Sequence, residues 1–281
     1  MTINKVKSFA KINLALRVTG KLSKLHKIES IVKFIKLHDL ITIKKINSKK
    51  HKISFYGNFS KNINKNNTVE KLFKILDEQK LLDKKKFQIK IKKDIPQKAG
   101  LGGGSMNAAN ILNFFLKNRV IKLNKKKILE ITNSIGSDVI LGINPTDTVL
   151  TSKNMCKKFS KTPKFHTLLV RPNFGCSTKK IYLGVKKYTK SIFNVPKKNM
   201  FSLGFLLEQE NALEKIAFSK YPKLKIIKSF LENLNKPLFV RMTGSGSVLV
   251  AYYQKKQDCN LSKVQFKRKF KNYWCITSKT I

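Results

Sequence analysis

The chain has 281 residues, 41% of them hydrophobic, which is enough to bury the core of one large domain or two moderate ones and too much for a wholly disordered chain. No apolar run approaches the roughly 20 residues that cross a bilayer, and Lys5 and Lys7 precede no long apolar segment of a signal peptide, so the sequence predicts a cytoplasmic protein without a membrane span. The 60 Lys and Arg outnumber the 15 Asp and Glu, giving a formal charge of +45. Only Arg17, Arg119, Arg171, Arg241 and Arg268 are arginines, and the lysines are spread along the chain, as on a solvated surface that attracts anionic substrates rather than on a nucleic-acid reader.

In chain order, residues 8–18 read as a strand. Residues 28–46 alternate in two stretches, broken at Leu37-His38-Asp39, which predicts a strand pair. A short strand follows at 53–56. Val69, Leu72, Phe73, Ile75 and Leu76 have helical spacing within 68–82, with Thr68 as the N-cap. Residues 87–91 alternate as a strand. Helices are expected at 106–117 and 125–134, a strand at 164–172 and a helix at 177–188. A helix pair at 211–218 and 223–234 is parted near Pro222. Strand, glycine turn and strand span 239–253, and a helix at 261–270 and a strand at 274–277 follow. Strands and helices mix without repeated βαβ units, so the predicted class is α+β, with a domain change near Thr151. Cys156, Cys176, Cys259 and Cys275 form no C-x-x-C pair and no zinc-ligand spacing, which predicts reduced thiols.

The strongest chemical signal is Pro96-Gln97-Lys98-Ala99-Gly100-Leu101-Gly102-Gly103-Gly104-Ser105-Met106. Glycines let backbone approach a ligand closely, and the helix that follows aims its unpaired N–H groups and positive dipole end at the loop. An anion, most naturally a phosphate, suits that place. It is neither a Walker A loop nor a dinucleotide turn. By itself it is equally a flexible loop capping a helix.

The loop resembles the P-x-x-x-G-L-G-G/S-G/S-S segment of the GHMP kinases. Four further segments agree with that superfamily in order and spacing: Ala10-Lys11-Ile12-Asn13-Leu14, Gly136-Ser137-Asp138-Val139, Asn211-Ala212-Leu213-Glu214 and Met242-Thr243-Gly244-Ser245-Gly246. The three-glycine form, continuing into Asn107-Ala108-Ala109, is similar to the branch that phosphorylates a cytidine diphosphate conjugate of methylerythritol in non-mevalonate isoprenoid synthesis.

The resemblance implies a two-lobed α+β kinase. A lobe over residues 1–150, resembling the second domain of a small-subunit ribosomal protein, would carry the loop and the catalytic pair; a smaller α+β lobe would span 151–281. It implies ATP as co-substrate, with Mg²⁺ held mainly by the nucleotide and no dedicated metal site. Residues 96–106 would bind ATP. Asp138 would take the acceptor hydroxyl's proton and Lys11 would stabilise transferring charge. Asn13, His26 and Tyr182 would contact the substrate, and Gly244, Ser245 and Gly246 would close the pocket. Asn67 aligns with the family's adenine-side Asn. The chain departs from the pattern at Lys98-Ala99, where Gly-Gly is common, at Met106, where Ser is common, and at Leu25, where an aromatic would stack on the cytosine. The partners implied are small molecules, with no nucleic acid and no membrane, for a monomer or homodimer. A homoserine or mevalonate type of GHMP kinase, and a basic nucleic-acid-binding protein on a kinase fold, remain alternatives at this point.

Overall fold

Two long strands open the chain, β1 (Ile3–Lys21) and β2 (His26–Ile46), and they pair with each other. The computed structural model describes residues 3–21 and 26–281. The expected break in β2 at Leu37-His38-Asp39 does not occur. Asp39 is fully buried inside the strand and meets partners from outside it, so a carboxylate that looked like a turn residue is a strand residue with satisfied bonds.

The chain gathers into two units. One comprises Met1–Ala10, Leu37–Gln97 and Gly102–Pro145; the other comprises Lys11–Lys36, Lys98–Leu101 and Thr146–Ile281. They interleave in sequence, whereas the sequence reading places a single cut near Thr151. The cause is strand length: β1 and β2 each run from one unit into the other.

In the first unit, residues 40–46 of β2 pair antiparallel with β4 (Lys86–Lys92), and β4 pairs parallel with β3 (Lys52–Tyr56). Phe87, Ile89 and Ile91 alternate inward along β4, as a half-buried strand requires. Helices α1 (Thr68–Glu78), α2 (Gly103–Lys117) and α3 (Lys125–Ile135) bury Leu72, Leu76, Ile111, Leu112, Phe115 and Ile131 in the same core as Ile41 and Ile89. The cap of α1 is Asn67 rather than Thr68: its side chain accepts from the Val69 and Glu70 N–H groups at 3.0 and 3.1 Å. Thr68 instead donates to the Gly104 carbonyl at 2.7 Å.

In the second unit, residues 30–32 of β2 pair antiparallel with β5 (Asp147–Leu150), which pairs with β6 (Cys156–Phe159). A four-stranded antiparallel sheet has the order β10 (Trp274–Lys279), β7 (His166–Arg171), β9 (Leu249–Tyr253), β8 (Phe239–Met242). Helices α4 (Thr178–Leu183), α5 (Leu203–Leu207), α6 (Glu214–Lys220), α7 (Lys223–Glu232) and α8 (Lys256–Lys269) complete the unit. Ile181, Ala217, Leu224, Leu231 and Phe266 pack in one core with Leu168, Val170 and Ala251 of the sheet. The predicted helix at 177–188 ends at Leu183. Among the described residues no helix is long and apolar enough to cross a membrane.

Candidate active site

In the first unit, Gly102 has φ +68°, the left-handed conformation that lets the loop turn into α2. The first turn of α2, from Gly103 through Ser105, has no side-chain cap. Its N–H groups therefore point into the loop as an anion site requires. Behind this turn lies a network that the sequence did not reveal. The Asp39 carboxylate accepts from the Asp94 and Ile95 N–H groups, both at 2.8 Å, from Asn107 Nδ2 at 3.0 Å and from the buried Lys93 ammonium. It ties the end of β4 to the start of α2, fixing both ends of the loop's approach. Gln97 Nε2 donates to the Phe59 and Lys61 carbonyls, both at 2.8 Å.

Asp138 leads into a 3₁₀ turn, Val139–Gly142, in the same unit. Asn113 of α2 donates to the Gly142 carbonyl at 2.8 Å. A side chain on Gly142 would meet Ala109 Cβ at 2.6 Å and Met106 Sδ at 3.0 Å, so the turn lies directly on α2. Met106, one of the departures from the family pattern, is a fully buried packing residue beneath this turn. The helix that starts at the glycine loop thus also positions the segment carrying Asp138.

In the second unit, Lys11 and Asn13 are each 3% exposed, on β1. The Lys11 ammonium donates to Asn13 Oδ1 at 2.8 Å, and Asn13 Nδ2 donates to Ser30 Oγ at 2.8 Å. Thr243 joins them: its hydroxyl accepts from the Asn13 N–H at 3.1 Å and donates toward Asn13 Oδ1 at 3.3 Å and the Gly100 carbonyl at 3.1 Å. Asn211 Nδ2 donates to the Met242 and Gly244 carbonyls at 2.7 and 2.8 Å, holding the 242–244 turn. A Cβ on Gly100 would lie 2.0 Å from the Thr243 carbonyl oxygen, so the loop and the second glycine turn meet at a distance only glycine allows. Ser245 shares a 2.9 Å hydrogen bond with Thr178. Lys98 is exposed with φ +50°, a backbone conformation that suits the glycine common at its place.

His26, at the start of β2, lies with its ring 5.1 Å from that of Tyr182 on α4. Burial, with a smaller effect from Lys21, lowers the pKa of His26 below its ordinary 6.5, so the imidazole is neutral at pH 7 and offers one donor and one acceptor. Leu25 lies outside the described residues. Asn67, aligned by the family pattern with adenine, caps α1 with its oxygen and donates to the Asn64 carbonyl at 3.0 Å with its nitrogen. Burial pushes the Cys176 thiol up to about 11 and Cys259 and Cys275 to about 12, so these three stay protonated at neutral pH. Among the described residues no group of three His, Cys, Asp or Glu is placed to hold a metal ion.

Residues 67–150 match the family profile of the GHMP kinases N terminal domain. The 4-diphosphocytidyl-2-C-methyl-D-erythritol kinase of Pelagibacter ubique (strain HTCC1062) is 58% identical over 277 residues, covering 99% of both chains. The chain belongs to the 4-diphosphocytidyl-2-C-methyl-D-erythritol kinase family. Among solved structures, a 4-(cytidine 5'-diphospho)-2C-methyl-D-erythritol kinase superimposes with a TM-score of 0.76 at 20% identity, covering 98% of this chain and 99% of that one. The homoserine kinase of Cytophaga hutchinsonii reaches 0.74 at 14% identity, covering 100% and 95%. The fold alone is therefore shared across GHMP kinases of different acceptors; the sequence identity selects this family among them. Members of the family are kinases, with ATP as co-substrate.

Proposed function

We propose that this chain phosphorylates the 2-hydroxyl of 4-diphosphocytidyl-2-C-methyl-D-erythritol with MgATP, giving the 2-phosphate and ADP. The observation that carries the reading is the full-length likeness to the Pelagibacter kinase. In the reaction the acceptor oxygen forms a bond to the γ-phosphorus, the bond to the bridging oxygen of ADP breaks, and the hydroxyl proton leaves. Residues 96–106 cradle the triphosphate with backbone N–H groups, which position it and spread its charge. Asp138 takes the proton. Lys11, oriented by Asn13, offsets the charge that builds on the transferring phosphoryl group. Gly244, Ser245 and Gly246 line the site beside Gly100, and His26 and Tyr182 read the cytosine. Mg²⁺ arrives with the nucleotide, and the reaction takes place in the cytoplasm. The lysine-rich surface serves to attract anionic substrates.

The test is ADP release by the purified protein with ATP and, in turn, the cytidylylated substrate, homoserine or mevalonate. Only the first is turned over on this reading; turnover of either other alcohol at a comparable rate overturns it. The Asp138→Ala variant loses about 10²- to 10⁴-fold in kcat while its affinity for ATP holds. Undiminished activity in that variant removes Asp138 as the base.

A further inference from the structure

The segment after α4 carries an exposed tyrosine on fixed backbone. Tyr188 is 48% exposed, yet the residues that follow it are pinned at every step. The Thr189 N–H and hydroxyl donate to the Val18 carbonyl at 2.8 and 3.2 Å. The Arg17 guanidinium donates to the Lys190 carbonyl at 3.2 and 3.0 Å. Glu29, fully buried, accepts from the Ile192 and Phe193 N–H groups at 3.0 and 3.2 Å and from the Ser191 hydroxyl, and Phe193 is itself fully buried. A buried carboxylate serving three donors of one surface segment is costly to assemble. What it accomplishes is to hold the Tyr188 ring beside His26, with ring centroids 6.4 Å apart at 55°. His26 therefore lies within reach of two tyrosine rings, one from α4 and one from this strap, all in the second unit.

We propose that Tyr188 is a specificity-determining residue that stacks on the pyrimidine of the substrate. The inference rests on the reading above. A planar base needs an apolar face held in advance, because ordering a loose ring on binding consumes part of the stacking energy. The strap provides that face. His26, beside it, carries the polar atoms that tell one base edge from another, and a tyrosine at the margin presents its apolar body to the base and its hydroxyl to water.

Steady-state kinetics on the intact protein test the proposal. Tyr188→Ala is expected to raise KM for the cytidylylated substrate by about 5- to 100-fold, leave KM for ATP unchanged and lose little kcat. Tyr188→Phe is expected to stay near wild type, because the face and not the hydroxyl does the stacking. A KM within twofold of wild type in the Ala variant, equal loss in the Phe variant, or parallel shifts of both KM values would overturn it and leave the assigned reaction standing. A second readout does not depend on turnover. In a Trp274→Phe background, the Tyr188→Trp protein is titrated with cytidine 5'-diphosphate; quenching of its fluorescence supports stacking and unchanged fluorescence refutes it. Should wild type fail to phosphorylate the substrate, the assigned reaction falls, and the titration alone decides whether position 188 receives a pyrimidine.

Discussion

An alanine at Gly100 meets two obstacles at once: a backbone φ of +76° and a methyl carbon 2.0 Å from the Thr243 carbonyl oxygen. The neighbour is backbone, held by the Asn211 and Asn13 bonds, and has little room to give. Gly100→Ala is therefore expected to cost more than about 1 kcal/mol of stability and to raise KM for ATP, read by denaturant unfolding and by kinetics. Asp39 is the opposite kind of residue, one whose side chain is indispensable. Asp39→Ala leaves the Lys93 ammonium buried without its carboxylate and strips two N–H groups of their acceptor. The expected loss is about 3–5 kcal/mol in urea or guanidinium unfolding, and Asp39→Asn, which keeps one acceptor oxygen, should lose less. Neither role was visible from the chain itself. Gly100 stood out through its motif, but its facing atom lies in Thr243. Asp39 looked like a strand break because its partners, Lys93, Asp94, Ile95 and Asn107, are far along the sequence.

His51 joins two elements of the first unit. Its Nδ1 accepts from the Phe87 N–H of β4 at 3.0 Å, its Nε2 faces Asp77 of α1 at 3.2 Å, and its ring lies 4.5 Å from Phe73. Accepting at Nδ1 requires the neutral ring. Burial outweighs the pull of Asp77 and lowers the His51 pKa below 6.5. The unfolded chain thus binds this proton first as pH falls, so the histidine's contribution is present above about pH 6.5 and is lost below it. His26 and His166 are shifted in the same direction. The unfolding midpoint is expected to drop between pH 7 and about pH 5.5, and His51→Gln should flatten that dependence; an unchanged slope in the variant would assign the effect elsewhere. At this scale β4 and α3 were legible because alternation and helical spacing are local, and β8 and β9 because a glycine turn parts two apolar runs. The misjudged ends, Asn67 for Thr68 and Leu183 for residue 188, turn on single hydrogen bonds and on tertiary packing. Strands β5 and β6 are four residues each, too short for a period to register.

At the scale of the whole molecule, the chain carries a formal charge of +45. ATP and a cytidine diphosphate conjugate are both polyanions. Screening is substantial once the Debye length falls to about 10 Å near 0.1 M salt. KM for both substrates is expected to rise between about 0.05 and 0.5 M KCl while kcat holds. A flat salt profile would show that the lysines are inert in substrate capture. The order of five motifs was enough to place the chain in its superfamily, because all five agree with it in order and spacing. The division into units was not legible, since it depends on where two long strands run.

That interleaving bears on how the protein is made. Leu16 bridges to Asn211 and Ile35 to Thr280, so an early piece of chain finds some of its neighbours among the latest residues. On the ribosome, the stretch bearing Lys11 and Asn13 emerges long before Thr243 exists to receive it, and its apolar face must wait. Maturation of the second unit is thereby postponed to the end of translation, and a prematurely stopped product would expose Leu14, Leu16 and Val18 to chaperones and proteases.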